Sequence, residues 1–387
     1  MPRKLIFLVS EDWYFVSHRL PMARAAKAAG YEVHVATRVV DCARKIEDEG
    51  FILHPVSWQR GSFNPLRMMG TVMAIRSLYR NLRPDIVHHV AFVPTIVGSI
   101  AALGMRMGKL NALAGLGFVF TSKSAKALLV RPFAQSLLGF LLRRPNTMVL
   151  VQNPDDRAMV TRLGVAGSRI ALIAGSGVDI DTLTPLPEPT APFTAGYVGR
   201  LLYDKGVEAL VRAQEILNAR GIKVRLLLAG SPDPSNPASI PEETLDRWSK
   251  RTGLELLGHV ADVRTVWAQA HVAVLPSRRE GLPKSLLEAA ACGRALIATD
   301  VPGCREVARP GVNALLVPAD DPAALANAIE ALMNDRERRL RFGAEARRIV
   351  VNEYSDARVA SDIAALYARL LASGAPLPEA PSRSTGS

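Results

Sequence analysis

DTLTPLPEPTAPF, residues 181–193, carries four prolines and few apolar side chains. Proline lacks a backbone N–H and has a fixed φ, so this run can neither continue a helix nor sit inside a sheet. It reads as a linker. It decides the fold because one pattern runs up to it and restarts beyond it. Before it come KLIFLVS (4–10), YEVHVAT (31–37), FILHPV (51–56), DIVHHV (85–90), LNALAG (110–115), TMVLVQ (147–152) and RIALIA (169–174), all short apolar runs of strand length. Between them RLPMARAAKAAG (19–30), NPLRMMGTVMAIRSLYRNL (64–82), PTIVGSIAALGMRM (94–107) and PDDRAMVTRLG (154–164) read as helices. After the linker TAGYVG (194–199), KVRLLLAG (223–230), LELLG (254–258), HVAVLPS (271–277), RALIATD (294–300) and ALLVP (314–318) repeat the alternation. Strands alternating with helices make parallel sheets. The expected fold class is therefore α/β, with two doubly wound domains over 1–185 and 186–354 facing across a cleft. Residues 355–372 are expected to form a final helix crossing back to the first domain. The tail from 373 to 387 has the composition of disorder.

The 387 residues carry a net charge of +12. Residues 1–185 hold 23 Lys+Arg and 12 Asp+Glu, whereas 186–387 hold 25 and 24. A basic first half points to an anionic partner, either nucleic acid or a membrane rich in anionic lipid. The three cysteines are scattered and lack metal spacing, which fits a reduced cytosolic protein. The N-terminus has too short an apolar run for a signal segment, and the uncharged run from Val90 to Met105 is too short and too rich in Gly and Pro to span a bilayer.

Two stretches carry chemistry. In YVGRLLYDKG (197–206) a strand ends at Val198, Gly199 turns, and Arg200 and Lys205 flank a helix start. Fixed cations beside a helix N-terminus suit a diphosphate. In REGLPKSLLEAAACG (279–293), Glu280 lies at a strand's carboxyl end, Gly281-Leu282-Pro283 turns, and Glu288 sits one to two turns into a helix. A carboxylate there can accept both hydroxyls of a ribose.

In this order and spacing, VGRLLYDKG, REGLPKSLLEAAACG and TDVPGCREVARPGVNALLVPADD (299–321) closely resemble the second domain of retaining GT-B glycosyltransferases of the large family-four group. The Glu280–Glu288 pair matches that family's signature. VSEDWYFVSHRLPMARAAKAAGYEVHVAT (9–37) and VQNPDDRAMVTRLG…GSGVD resemble its first domain, so the likeness covers nearly the whole chain. HHVAFVPTIVGSIAA…NALAGLGFVFTS is similar to bacterial members that build capsules, exopolysaccharides or O-antigens on a lipid carrier.

The resemblance implies two facing Rossmann-like domains and transfer of a hexosyl unit from a nucleotide-diphosphate sugar, a UDP-sugar first. The acceptor would be a hydroxyl of an undecaprenyl-linked saccharide. Arg200 and Lys205 would hold the departing diphosphate, Glu280 the donor sugar and Glu288 the ribose. Gly199, Gly281, Leu282 and Pro283 would line the donor site. His88 or His89, at the end of the fourth strand, would approach the sugar, and alternation sends the two to opposite faces. Where many members have Gly-Gly in the first loop, this chain has SEDWYFVSHR (10–19). That makes a bulkier loop, with Trp13, Tyr14, His18 and Arg19 available to an acceptor.

No metal and no cofactor are expected. Asp179-Ile180-Asp181 spells an Asp-x-Asp but matches the loop before the linker. TSKSAKALLVRPFAQSLLGFLLRR (121–144), with five bases and no acid, reads as an amphipathic helix broken at Pro132 that docks on an anionic leaflet. The expected location is the cytoplasm, peripheral at the inner membrane face. Two other readings stand beside this one. One is a soluble glycosyltransferase using a small sugar or sugar-phosphate acceptor. The other is a basic nucleic-acid-binding protein, which the absence of RNA- or DNA-reading motifs opposes.

Overall fold

The computed structural model describes residues 2–57, 65–113, 125–173, 175–234 and 236–373. Among these, β1 (Arg3–Glu11), β2 (Tyr31–Arg38), β3 (Ile52–Pro55), β4 (Ile86–Val90), β5 (Gly108–Leu113), β6 (Thr147–Val151) and β7 (Ile170–Leu172) form one sheet in the order β3-β2-β1-β4-β5-β6-β7. β8 (Thr194–Val198), β9 (Arg225–Ala229), β10 (Leu254–Gly258), β11 (Val272–Leu275), β12 (Ala295–Thr299) and β13 (Ala314–Val317) form a second, in the order β10-β9-β8-β11-β12-β13. All pairings are parallel. The strands' near-continuous apolar runs explain this, because parallel strands are covered by helices on both faces. β4, β5, β6 and β12 are buried at every position.

Each sheet reverses its winding once, between β1 and β4 and between β8 and β11. Such a reversal opens a crevice at the strands' carboxyl ends, where ligands bind. The two crevices meet. Lys284 Nζ donates to the Ser17 carbonyl at 2.6 Å, and Asn153 Nδ2 donates to the Gly281 carbonyl at 3.0 Å. This is the GT-B arrangement.

The last helix, Asp356–Ser373, completes the first domain. Val359, Ile363, Leu366, Tyr367 and Leu370 are buried in one core with Leu5, Phe7, Ile86 and Leu110. The chain returns beside its outgoing path, with Val178 N–H on the Tyr354 carbonyl (2.9 Å) and Asp356 N–H on the Val178 carbonyl (3.0 Å).

Two local expectations are corrected. The segment after β1 is not an open loop but a helix, Asp12–His18. Asp12 is fully buried, and its Oδ2 accepts the N–H groups of Val40, Asp41 and Cys42 at 2.7, 3.0 and 2.8 Å. Its Oδ1 accepts Trp13 N–H at 2.7 Å. A carboxylate so held in a first turn also favours the helix dipole. The helix Ala125–Leu142 runs through Pro132 instead of breaking there. Pro132 is exposed, where an unpaired carbonyl is least costly. Pro283 caps its helix, which begins at Lys284. Residues 114–124, the side chains of 125–130 and the tail from 374 lie outside the described residues, as do the corresponding parts of the readings made on them.

Candidate active site

The second domain supplies two loops at its crevice. The loop after β8 passes Gly199 and Arg200 to a 3-10 turn, Tyr203–Lys205, and then the helix Val207–Ala219. Gly206 has φ +68°, and a side chain there would overlap the Pro276 carbonyl. Glycine is thus required both by conformation and by the close approach of the loop after β11. That approach sets Lys205 Nζ 2.6 Å from Glu280 Oε1, and Ser277 Oγ donates to the same oxygen at 2.6 Å. The Glu280 side chain is only 10% exposed. Gly303 serves the same end, since a Cβ there would overlap the carbonyls of Glu280 and Gly281.

Arg200 lies farther out and pairs with Asp233 at 2.9 Å. Leu282 packs on Gly175, next to the first domain. The N–H groups of Gly281 and Leu282 donate to no carbonyl or side chain among the described residues. They stand ahead of the N-terminus of the helix Lys284–Ala291, a favourable place for an anion. Glu288, one turn into that helix, is 3.7 Å from Lys284 Nζ. Burial pushes its carboxyl up, and Lys284 partly offsets this. Lys205, Glu280, Gly281, Leu282, Pro283 and Glu288 thus share one wall of the cleft, with Gly199 and Arg200 at its edge.

The first domain faces this wall with the helix Asp12–His18. Tyr14 and His18 stack with ring centroids 4.2 Å apart. Burial pushes the His18 imidazole down to about 3, and Lys284, Arg19 and Lys205 push the same way against the Tyr14 carbonyl. The ring is therefore neutral at ordinary pH and lies close to the two cleft lysines. Trp13 is exposed beside Tyr14. Arg19 turns inward and is 1% exposed. Its Nη1 meets the His18 carbonyl at 3.4 Å and Met22 Sδ at 3.8 Å, so it is not offered to an acceptor.

Neither His88 nor His89 reaches the cleft, and both are fully buried. The alternation does send them to opposite faces of β4, but each face is covered. His88 Nδ1 lies 2.8 Å from the Tyr367 hydroxyl of the returning helix and packs on Phe7. His89 donates from Nδ1 to Asn111 Oδ1 (2.7 Å) and accepts at Nε2 from the Tyr79 hydroxyl (3.0 Å). They are core residues because β4 continues past them to Val90.

Burial lowers the His89 imidazole from 6.5 to about 4, with Asn111 opposing and Lys109 adding to the shift. A depressed pKa gives stability that is present above 6.5 and lost as pH falls towards 4. Replacing His89 by Gln is expected to flatten the pH dependence of urea unfolding in that window, by up to about 1.4 kcal/mol per pH unit. The comparison must be made between the two proteins. Asp156 and Asp356, raised to about 6 chiefly by burial, bend the common profile the other way. An unchanged slope in the variant refutes this assignment.

Asp179 spends its carboxylate on its own turn, on Asp181 N–H (3.0 Å), Thr182 N–H (2.9 Å) and Thr182 Oγ1 (2.7 Å). No group of three metal-ligating side chains converges among the described residues. Sequence reasoning missed Ser277, Asp233, Ser17 and the bridging role of Asn153. Asn153 also caps the helix Pro154–Arg162, accepting Asp156 N–H at 2.8 Å.

The family described as "Glycosyl transferase 4-like" matches residues 4–153, and "Glycosyl transferases group 1" matches residues 192–335. These are the two halves that hold the two walls of the cleft. The chain is a family-four type GT-B glycosyltransferase. Among its relatives is N,N'-diacetylbacillosaminyl-diphospho-undecaprenol alpha-1,3-N-acetylgalactosaminyltransferase of Campylobacter jejuni, 25% identical over 91% of this chain and 95% of that one. Another is the putative glycosyltransferase EpsD of Bacillus subtilis, 26% identical over 95% and 97%. Among solved structures, sucrose-phosphate synthase from Thermosynechococcus elongatus superposes with a TM-score of 0.81 at 21% identity, covering 96% and 99%. Anabaena HepE in complex with UDP and glucose gives 0.75 at 17% identity, covering 95% and 99%. No helix among the described residues of this glycosyltransferase is long and apolar enough to cross a membrane.

Proposed function

We propose that this glycosyltransferase moves a hexosyl unit, with retention, from a nucleotide-diphosphate sugar to a hydroxyl of a lipid-linked saccharide in bacterial surface polysaccharide synthesis. A UDP-sugar is the favoured donor. The observation that carries the reading is the Lys205–Glu280–Ser277 cluster at the β8/β11 reversal, with Glu288 one helix turn beyond. It sets a cation, free backbone N–H groups and two carboxylates in line for phosphate, sugar and ribose. Departure of the diphosphate builds negative charge, which Lys205, Arg200 and the helix N-terminus stabilise in advance. Glu280 binds sugar hydroxyls and does not attack, because Lys205 and Ser277 share one of its oxygens. The departing phosphate takes the acceptor proton in a front-face displacement. With His88 and His89 enclosed, His18 is the first-domain imidazole that meets the substrates, as a hydrogen-bond acceptor. No metal is used. The lipid-linked acceptor is supported by the Campylobacter relative, whose own name specifies one.

Titration with UDP, GDP and ADP, with and without EDTA, tests the donor half. Saturable binding of one nucleotide, insensitive to EDTA, is expected. EDTA-sensitive binding, or none, overturns it. A second reading, a soluble enzyme with a small acceptor, is favoured by 26% identity to alpha-maltose-1-phosphate synthase of Mycolicibacterium smegmatis over 86% of this chain. Transfer to a sugar phosphate, and none to an undecaprenyl-diphosphate saccharide, decides for it.

Membrane docking belongs to the same proposal. Phe133 and Phe140, seven residues apart on the helix Ala125–Leu142, are 73% and 46% exposed, and Arg143 and Arg144 directly follow that helix. Each base near an anionic leaflet adds about 1 kcal/mol. Neutralising Lys123, Lys126, Arg143 and Arg144 together is expected to abolish sedimentation with phosphatidylglycerol vesicles. Unchanged sedimentation removes docking from the proposal.

A further inference from the structure

Residues 86–154 contain seven lysines and arginines and no acid. Three of these bases, Arg106, Lys109 and Arg144, line one cavity of about 240 Å³ at the amino-terminal edge of the first sheet, together with Ser99 and Asn146. A single water needs only about 10–15 Å³. No aspartate or glutamate lines the cavity. Lys109, the second residue of β5, is 8% exposed, and among the described residues its Nζ hydrogen-bonds only the Met107 carbonyl, at 3.5 Å. Burial lowers its pKa and the like charge of Arg144 lowers it further. The Arg144 guanidinium lies over the Phe140 ring at 5.1 Å, and neither it nor Arg106 has a carboxylate partner among the described residues. Asp85, at the same edge of the sheet, gives its carboxylate to the Lys4 N–H at 2.7 Å.

Two helices end at this cavity, and their carbonyls attract cations. Other residues already serve them. Arg76 Nη1 donates to the carbonyls of Ala101 and Leu103 at 2.9 and 2.8 Å, and Arg143 Nε donates to Gly139 at 3.1 Å. The cavity wall is also fixed before any ligand arrives. Lys109 N–H holds the Asn146 carbonyl at 2.8 Å, and Arg169 Nη1 holds those of Arg143 and Arg144 at 3.0 and 3.3 Å. A rigid, acid-free cavity with a buried, unpaired lysine is costly unless an anion completes it.

We infer that this cavity binds the phosphate group of a monoester. The dianion accepts hydrogen bonds from Lys109, Arg144 and Arg106, with the Asn146 amide as a neutral donor; the Ser99 hydroxyl is already donated to Asn111 Oδ1 at 3.3 Å. The ester is either a soluble molecule or a lipid headgroup, for which the exposed Phe140 ring stands beside Arg144. The site is separate from the donor cleft. Lys109 lies at the far end of β5, four residue steps or about 13 Å from the strand's carboxyl end, beyond which the crevice opens.

Thermal unfolding of the full chain with sn-glycerol 3-phosphate, at matched ionic strength, tests this, alongside co-sedimentation with phosphatidic acid or phosphatidylcholine vesicles. Lys109→Met and Arg144→Gln are compared with the wild type. Without ligand, Lys109→Met is expected to unfold no earlier than wild type, because it removes an unpaired buried charge. The ester is expected to raise the wild-type Tm and to bind each variant about ten-fold or more weakly. A response to the soluble ester identifies a soluble ligand. Sedimentation with phosphatidic acid alone, lost in Lys109→Met, identifies a headgroup. If neither probe separates wild type from both variants, the site does not exist. UDP binding by the variants stays at the wild-type level, which shows that the cleft is intact.

Discussion

Lys205→Ala is expected to lower kcat by about 10²–10³-fold, the usual cost of removing one preorganised donor to a developing anion. Two effects add in this protein. The ammonium proposed to meet the leaving diphosphate is gone. Glu280, 10% exposed and 2.6 Å from Nζ, also loses its cation and turns its charge on the diphosphate. Lys205→Ala/Glu280→Gln is therefore expected to recover part of the loss, with the donor KM moving less than kcat. Full turnover in Lys205→Ala would remove the cluster from the reaction.

The second large effect is on binding. Glu288→Ala is expected to weaken nucleoside-diphosphate binding about 10–100-fold, since hydrogen bonds to a charged group contribute about 1.5–3 kcal/mol. The signature is a double comparison. Wild type should prefer UDP over 2'-deoxy-UDP, and Glu288→Ala should bind the two alike. Because burial raises the Glu288 carboxyl, wild-type affinity should also fall as pH drops through that raised value, and the variant's should not. Equal discrimination by both proteins would take the ribose away from Glu288.

Much of this fold is legible in the sequence because parallel strands buried on both faces leave uninterrupted apolar runs. IVHHV and TMVLV announce β4 and β6, and the prolines between 181 and 193 separate the sheets. The candidate donor wall is legible for a different reason. Glu280, Gly281, Leu282, Pro283 and Glu288 sit on one short turn and helix, so their spacing nearly fixes their geometry. What escaped depends on distant partners. The helix Asp12–His18 is set by backbone groups near residue 41, which no local pattern shows. His88 and His89 look available on a strand until helices from residues 65–101 and 356–373 cover them. Lys205 and Glu280 are 75 residues apart and meet only because Gly206 lets two loops touch.

The helix Asp356–Ser373 has a consequence for synthesis. Its apolar face closes the core of a domain whose other elements end near residue 173. A nascent chain therefore emerges with that core open along Leu5, Phe7, Ile86 and Leu110. It stays open until about 200 further residues have been translated, about 10–40 s at ordinary elongation rates. The second domain, contiguous from 194 to 353, can close first. The half that leaves the ribosome earlier is the one that must wait, with a greasy flank for chaperones to shield.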